Sequence, residues 1–174
     1  MRRRSEELST GEWAVLALVA EGPSHGFAIA RSLRPGSEVG RVWAMRRPLV
    51  YRTLDVLGGL GLVAPAGTEE SDSGPPRQLL AVTDAGAARV RDWLDAPVAH
   101  VRDARSELML KLLFLDRAQR DPAPLLTAQH ERLSAQAGEL ESAVDAAEGF
   151  ARTLALWRLE STRAAIRFVS AAGR

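Results

Sequence analysis

The sequence predicts a mainly α-helical protein that carries one small β-hairpin. Three observations support this class. Apolar residues recur at three- and four-residue spacing through most of the chain, two short apolar runs flank a polar loop, and one long segment has the spacing of a coiled-coil seam. We expect two domains, residues 1–97 with the hairpin and residues 98–174 formed by helices alone.

The first two helices are predicted from their caps. Ser9 and Glu12 have the spacing of a capping box, which predicts a helix that starts after Ser9. A second helix is expected after the turn at residues 21–23, with Ser24 as its cap. Its inward side is expected to carry four apolar residues: Phe27, Ile29, Ala30 and Leu33.

A third helix is predicted between Pro48 and Gly61. Proline suits a first helical position, and glycine suits the left-handed residue that closes a helix. The apolar stripe of this helix consists of Val50, Leu54, Leu57 and Leu60. Its opening turn and opposite side carry Arg46, Arg47, Tyr51 and Arg52. One face is therefore predicted to be buried and the other to be cationic.

The cationic face of the third helix indicates DNA binding. Residues 31–52 hold six arginines and one glutamate, although the formal net charge of the whole chain is +1. A helix with a cationic N-terminal end fits the DNA major groove, because guanidinium groups bind guanine edges and phosphates. We therefore interpret it as a recognition helix, with DNA contacts from Arg46, Arg47, Tyr51 and Arg52. The alternative is an arginine-rich face that is merely solvated.

A β-hairpin and a fourth helix follow. The apolar residues 62–66 and 78–82 are separated by a loop rich in Gly, Pro and Ser, which predicts two strands. Thr83 is expected to cap a helix from Asp84 to about Leu94, and Pro97 to end it. The order of three helices, a hairpin and a helix is that of a helix-turn-helix with a wing.

Several motifs in the first half of the chain occur together and in order. One is the turn at His25, Gly26 and Phe27, and the others are the segments LVYRTLDVLGGLGLV and LLAVTDAG. Over residues 8–93 they resemble the opening helices, the recognition helix and the second wing strand of the PadR family of bacterial transcriptional regulators. The wing strand departs from the family's aromatic and basic pattern, and Arg77 alone keeps the positive charge.

This resemblance implies a winged helix-turn-helix DNA-binding domain followed by a helical dimerisation domain. It also implies a homodimeric repressor, and it adds Arg77 to the predicted DNA contacts. A twofold dimer would bind double-stranded DNA at an inverted repeat. Some family members respond to small aromatic molecules, and the candidate residues for such an effector pocket are Trp13, Trp93 and Trp157. The alternative is that these tryptophans are core residues.

The second half of the chain is predicted to be helical. Residues 108–115 are apolar apart from Lys111, which predicts a helix buried nearly all round, with a core strand as the alternative. Asp121 and Pro122 are expected to open a long helix to about Glu148, followed by a last helix over residues 150–172. Two long helices with so few large side chains cannot bury both faces alone, so we expect a second copy of the chain. The alternative is an intramolecular bundle. The predicted dimerisation residues are Leu126, Leu133, Leu140, Val144, Leu154 and Trp157.

Other function classes find little support in the sequence. The absence of cysteine excludes disulfides and thiolate ligands, and His25, His100 and His130 lack metal-ligand spacing. We therefore expect no enzyme activity, no metal and no cofactor. Neither a membrane-spanning run nor the apolar core of a signal peptide is present, so a cytoplasmic location without membrane contact is expected. The remaining alternative is a protein-interaction module that uses the C-terminal helices and leaves the basic helix idle.

Overall fold

The computed structural model describes residues 7–70 and 76–173. The chain divides into two compact units, one through Trp93 and one from Leu94. The described chain is mainly α-helical with one two-stranded antiparallel sheet, so the predicted fold class is confirmed. The predicted division into residues 1–97 and 98–174 stays a prediction.

The first unit contains the predicted order of elements. It consists of α1 (Thr10–Ala20), α2 (Gly26–Ser32), a 3-10 turn (Val39–Arg41), α3 (Arg47–Gly59), β1 (Val63–Glu69), β2 (Arg77–Val82) and all but the last two residues of α4 (Asp84–Asp95). The strands pair with Val63 opposite Val82 and Glu69 opposite Arg77, with a bulge between Pro65 and Gly67. The connection between the strands includes residues 71–75, which lie outside the described residues.

The predicted caps of α1, α3 and α4 are present. The Ser9 amide donates to Oε2 of Glu12 at 2.7 Å, and the Glu12 amide donates back to Oγ of Ser9. Gly61 closes α3 with a φ of 70°, a backbone conformation that favours glycine. The Thr83 hydroxyl accepts from the Gly86 amide at 3.1 Å and donates to the Gly61 carbonyl at 2.7 Å. These local signals therefore set the ends of three helices.

The start of α2 differs from the prediction. His25 is the cap, because its Nδ1 accepts from the Ala28 amide at 3.1 Å. Ser24 instead exchanges two backbone hydrogen bonds of 2.9 Å with Leu80, which keep it extended along β2. The prediction that Ser24 caps this helix is therefore wrong.

Two predicted core positions are also exposed. Phe27 is 44% exposed and Leu60 is 54% exposed, whereas the remaining members of both predicted apolar stripes are buried. Leu60 follows the last residue of α3 and has left the buried side of that helix. The helix itself begins at Arg47, one residue before the predicted start.

The second unit is helical throughout its described residues. After a 3-10 turn (Val101–Asp103) and a π-helical turn (Ala104–Leu108), it consists of α5 (Met109–Arg117), α6 (Ala123–Ala146) and α7 (Gly149–Ala172). Residues 108–115 therefore form helix, as predicted, and not a core strand. None of the helices in residues 7–70 and 76–173 is long and apolar enough to cross a membrane.

Two buried polar side chains hold the segment that precedes α5. The side chain of Lys111 is 2% exposed, and its Nζ donates to the Ala96 carbonyl at 2.6 Å and lies 3.2 Å from Oε1 of Glu107. Burial lowers the pKa of Lys111, and the nearby Glu107 carboxylate opposes this shift. Gln129, the polar residue of the predicted seam, bonds to both backbone groups of Val98.

The apolar seam of α6 lies inside one chain. Helix α7 runs back along α6, so that Val144 and Ala137 pack with Ala155 and Leu159 near the connection between the helices. Of the seam residues predicted to form a dimer, Leu126, Leu133 and Val144 are buried and Leu140 is half-buried. Helix α7 of the same chain lies along this seam, so the burial of these four residues does not require a second copy. That they form a dimer interface stays a prediction.

Candidate nucleic-acid interface

The predicted recognition helix α3 has one buried side and one exposed side. Its buried residues are Val50, Thr53, Leu54 and Leu57. Arg46, Arg47, Tyr51 and Arg52 are all exposed. The outermost line of the helix, opposite the buried side, carries Pro48, Arg52, Asp55 and Gly59 at spacings of four, three and four residues. Arg52 therefore lies near the middle of the surface that projects furthest from the core.

Arg47 lies on a flank of α3, away from the line that carries Arg52, and two aromatic rings are next to it. Its guanidinium carbon is 5.4 Å from the ring centroid of Phe27 and 5.5 Å from that of Tyr51. The guanidinium carbon of Arg77, on β2, is 5.5 Å from the same Phe27 ring. These distances are those of cation–π contacts. We call Phe27, Arg47, Tyr51 and Arg77 the guanidinium cluster, because α2, α3 and the wing meet in it.

A glycine permits the close approach of Tyr51 to α2. A Cβ placed at Gly26 would lie 2.9 Å from Cε1 of the Tyr51 ring, closer than real side chains approach each other. The absence of a side chain at residue 26 thus lets the Tyr51 ring sit against the start of α2. This is a physical reason for glycine in the His-Gly-Phe turn.

His25 connects α2 to both strands of the wing. Its Nε2 lies 3.4 Å from Oε2 of Glu69 and 3.4 Å from Nη1 of Arg77, and these two residues are opposite each other in the strand pair. Because Nδ1 accepts the Ala28 amide hydrogen, the hydrogen of the neutral ring belongs on Nε2, from which it can be donated to Glu69. Together with the Ser24–Leu80 backbone bonds, this contact holds the wing against α2.

The guanidinium cluster borders an open groove of about 750 Å³. Its charged and aromatic lining residues are His25, Phe27, Arg47, Tyr51, Asp55 and Arg77. Two exposed guanidinium groups in the lining of one groove suit an anionic ligand with several acceptor oxygens. Among residues 7–70 and 76–173, no group of three or more potential ligands is placed to hold a metal ion.

The predicted effector tryptophans fall into two groups. Trp13 and Trp93 stack on each other, with ring centroids 5.0 Å apart and planes 9° apart. Trp93 is buried, and the Arg89 guanidinium lies 5.8 Å from the Trp13 ring. This packing favours the core alternative for the pair. Trp157, in the second unit, is 71% exposed.

Sequence reasoning missed two residues of the interface. Phe27 was assigned to the core from its helical spacing, and its contacts with Arg47 and Arg77 could not be seen in α2 alone. Asp55 was not singled out, although its three-residue distance from Arg52 already places it on the exposed line. Both residues border the predicted DNA-binding surface.

Comparisons with known proteins agree with these observations. Residues 15–92 match the Transcriptional regulator PadR-like family. A stretch of 96 residues is 28% identical to the probable transcriptional regulator Rv1176c of Mycobacterium tuberculosis, and it covers 55% of this chain and 49% of that protein. The chain thus matches about half the length of this relative.

Two solved structures to which the chain is similar are of one protein. Bacillus subtilis PadR in complex with operator DNA is 21% identical, with a TM-score of 0.47 over 94% of this chain and 97% of that one. The same protein in complex with p-coumaric acid is 19% identical, with a TM-score of 0.41 over 94% and 93%.

The descriptions of the matched family and of the Mycobacterium tuberculosis relative are of transcriptional regulators and not of enzymes, as predicted for this chain. The family match covers α3, both wing strands and most of α1 and α4. Residues 15–92, which form the helices and wing of a winged helix-turn-helix, are therefore similar to the Transcriptional regulator PadR-like family.

Proposed function

We propose that the protein is a homodimeric transcriptional repressor that binds double-stranded DNA at an inverted-repeat operator. The observation that carries this proposal is the set of exposed cationic and aromatic side chains that α3 and the wing present together: Arg46, Arg47, Tyr51, Arg52 and Arg77. Such a set supplies both base-edge donors and phosphate contacts. The protein is expected to act in the cytoplasm.

Arg52 is the proposed base-reading arginine. It lies on the outermost line of α3, beside Asp55, where side chains reach furthest into a groove. An arginine there can donate two hydrogen bonds to guanine, and an aspartate can accept one from cytosine. Arg46 precedes the helix as its N-cap residue and is better placed for a phosphate.

An exposed apolar stripe on α7 supports the proposed dimer. Phe150, Leu154, Trp157 and Phe168 lie on one side of this helix, opposite the residues that pack on α6. Phe150 is 80% exposed and Trp157 is 71% exposed. Large exposed apolar side chains on one side of a helix mark an interaction surface, and a second copy of the same stripe is its simplest partner. Leu154 and Trp157 are thus retained from the predicted dimer residues.

Release by a small-molecule effector is included in the proposal. A ligand would weaken operator binding if it preferred a spacing of the two recognition helices that differs from the spacing of the half-sites. Trp13, Trp93 and Trp157 remain the proposed contacts, although the first two already stack on each other. Quenching of tryptophan fluorescence by p-coumaric acid, with and without bound DNA, tests this part directly.

The experiment for the main proposal is selection of bound fragments from random duplex DNA, followed by titration at several salt concentrations. The selected fragments should share an inverted repeat with half-sites about 34–36 Å apart or at a multiple of that distance. The logarithm of the binding constant should fall linearly with the logarithm of the salt concentration. A selection that enriches no sequence, with binding that does not depend on salt, would favour the protein-interaction alternative.

A further inference from the structure

We propose that Phe27 is a positioning residue that holds Arg47 and Arg77 as a clamp for one backbone phosphate of double-stranded DNA. The proposal rests on the proposed DNA-binding function and deepens it. It assigns a phosphate site to the guanidinium cluster and gives a function to an exposed phenylalanine.

The first argument is the geometry at the Phe27 ring. Arg47 belongs to α3 and Arg77 to β2, yet their guanidinium carbons lie 5.4 and 5.5 Å from the centroid of this one ring. A long arginine side chain in water samples many rotamers, and ordering it on binding costs free energy. A guanidinium that already lies over an aromatic ring has lost part of that freedom before DNA arrives.

The second argument is that both arginines keep their donor groups accessible. Arg47 and Arg77 are exposed, and they border the same open groove. A guanidinium that stacks through its flat face leaves its N–H edge free to donate two parallel hydrogen bonds. A phosphate offers oxygens in several directions, so one group can accept from two guanidinium groups at once.

The third argument separates this site from the base-reading line of α3. Arg47 lies on the flank of the helix next to α2 and the wing, whereas Arg52 lies on the outermost line. Among the described residues, the carboxylate that lines the groove is Asp55, on that outer line, and Glu69 lies beside Nε2 of His25. The guanidinium cluster is thus placed to contact the DNA backbone at the edge of the DNA major groove that α3 is proposed to enter.

The fourth argument is the attachment of the wing. Two backbone bonds between Ser24 and Leu80, three residues from Arg77, hold β2 against the segment that leads into α2. His25 adds a contact with Glu69, which is opposite Arg77 in the strand pair, beside the Phe27 ring. The wing arginine is therefore held relative to the arginine of α3 before any ligand binds.

The test uses the full-length protein and a duplex selected by the wild-type protein. We expect Phe27→Leu, which keeps the apolar bulk and removes the ring, to weaken binding about 5- to 30-fold per half-site, because the two arginine side chains must then lose their rotamer freedom when DNA binds. Phe27→Tyr should bind like the wild type. Arg91→Ala, which removes an exposed charge of the same unit, is the control for a general loss of charge.

The clamp also predicts coupling between the three residues. The Arg47→Ala, Arg77→Ala double variant should lower the salt dependence of binding by about one phosphate contact. In a Phe27→Leu background, each arginine substitution should cost less than it does in the wild type. Additive effects would overturn the proposal, as would a Phe27→Leu protein that binds like the wild type.

A second arm identifies the phosphate without altering the protein's fold. Replacing single phosphates of the selected duplex by uncharged methylphosphonates should weaken binding of the wild type at several positions, and one of these in each half-site should be the phosphate held by the clamp. Replacing that phosphate should cause no further loss of affinity in the Arg47→Ala, Arg77→Ala double variant, which already lacks the contact. If every sensitive position affects the double variant and the wild type equally, the clamp is wrong while DNA binding stands. If the wild type binds no duplex at all, the proposed function itself fails, and this proposal fails with it.

Discussion

Gly26 and Tyr51 are in such close contact that a Cβ at residue 26 would lie 2.9 Å from Cε1 of the tyrosine ring. The glycine belongs to the first turn of α2 and the tyrosine to α3. The contact brings Tyr51 next to Arg47, whose guanidinium carbon is 5.5 Å from the ring centroid. One missing side chain thereby helps to shape the proposed DNA-binding surface.

We predict that Gly26→Ala weakens DNA binding with little loss of stability. Because the Tyr51 ring is 39% exposed, it can move away from the new methyl group and leave Arg47. The free energy of unfolding should change by less than about 1 kcal/mol, since alanine also favours the helix. Urea unfolding and DNA titration measure the two effects. In a Tyr51→Leu background, Gly26→Ala should have a smaller effect on binding, and an unchanged effect would contradict the explanation.

A second glycine is expected to matter for stability. A Cβ at Gly86 would collide with the carbonyl oxygen of Leu62, and backbone cannot move aside as a side chain can. We expect Gly86→Ala to lower the free energy of unfolding by about 1–3 kcal/mol, a typical cost of overpacking. Gly138→Ala is the matched control, because a Cβ there meets nothing within 4 Å inside α6. It should be neutral or stabilising by up to about 1 kcal/mol.

Substitutions of Arg52 and Arg47 should have different effects on specificity. Arg52→Ala is expected to cost on the order of 1–3 kcal/mol on the selected duplex and much less on a scrambled one, because a base contact is lost. Arg47→Ala should weaken binding to both duplexes alike. Fluorescence anisotropy with the two duplexes at one salt concentration measures this difference. If instead Arg52→Ala weakens binding to both duplexes alike and Arg47→Ala weakens mainly the selected one, then Arg47 reads the base and Arg52 contacts a phosphate.

The two sides of α7 predict different defects. Trp157→Asp places a charge in the exposed stripe and should yield a folded monomer in analytical ultracentrifugation. Leu133→Ala opens a cavity in the seam between α6 and α7 and should lower the free energy of unfolding by about 2–5 kcal/mol. If Trp157→Asp leaves the oligomeric state unchanged, or the wild type is already a monomer, the proposed dimer surface is wrong.

The buried lysine predicts a pH dependence. Because burial lowers the pKa of Lys111 below its usual 10.5, the unfolded chain binds more protons than the folded chain between the two values. The free energy of unfolding should therefore rise with pH over that interval, and the rise should be absent in Lys111→Met. The free energy of unfolding of each protein is measured with urea at several pH values. Subtracting the values of Lys111→Met from those of the wild type removes the contributions of the titratable groups that both proteins share. A difference that stays flat up to pH 10.5 would contradict this assignment.

The ends of the helices could largely be predicted from the sequence. The capping box of Ser9 and Glu12 spans three residues, and the closing glycine of α3 needs a backbone conformation that few other residues adopt. The exposed arginines of α3 were also found, because helical spacing alone separates them from Val50, Leu54 and Leu57. Such signals act within one element, where the chain itself supplies both partners.

The tertiary structure decided which residues from different elements meet. Helical spacing assigned Phe27 to the core, but Arg47 and Arg77, which are 20 and 50 residues away in the chain, lie over its ring. The same limit applies to His25, which caps α2 because β2 already occupies Ser24. It applies again to the seam of α6. Burial of an apolar stripe lowers the free energy equally well whether α7 of the same chain or a second copy covers the stripe. The sequence by itself determined which surfaces are apolar or charged, and the folded chain determined what covers them.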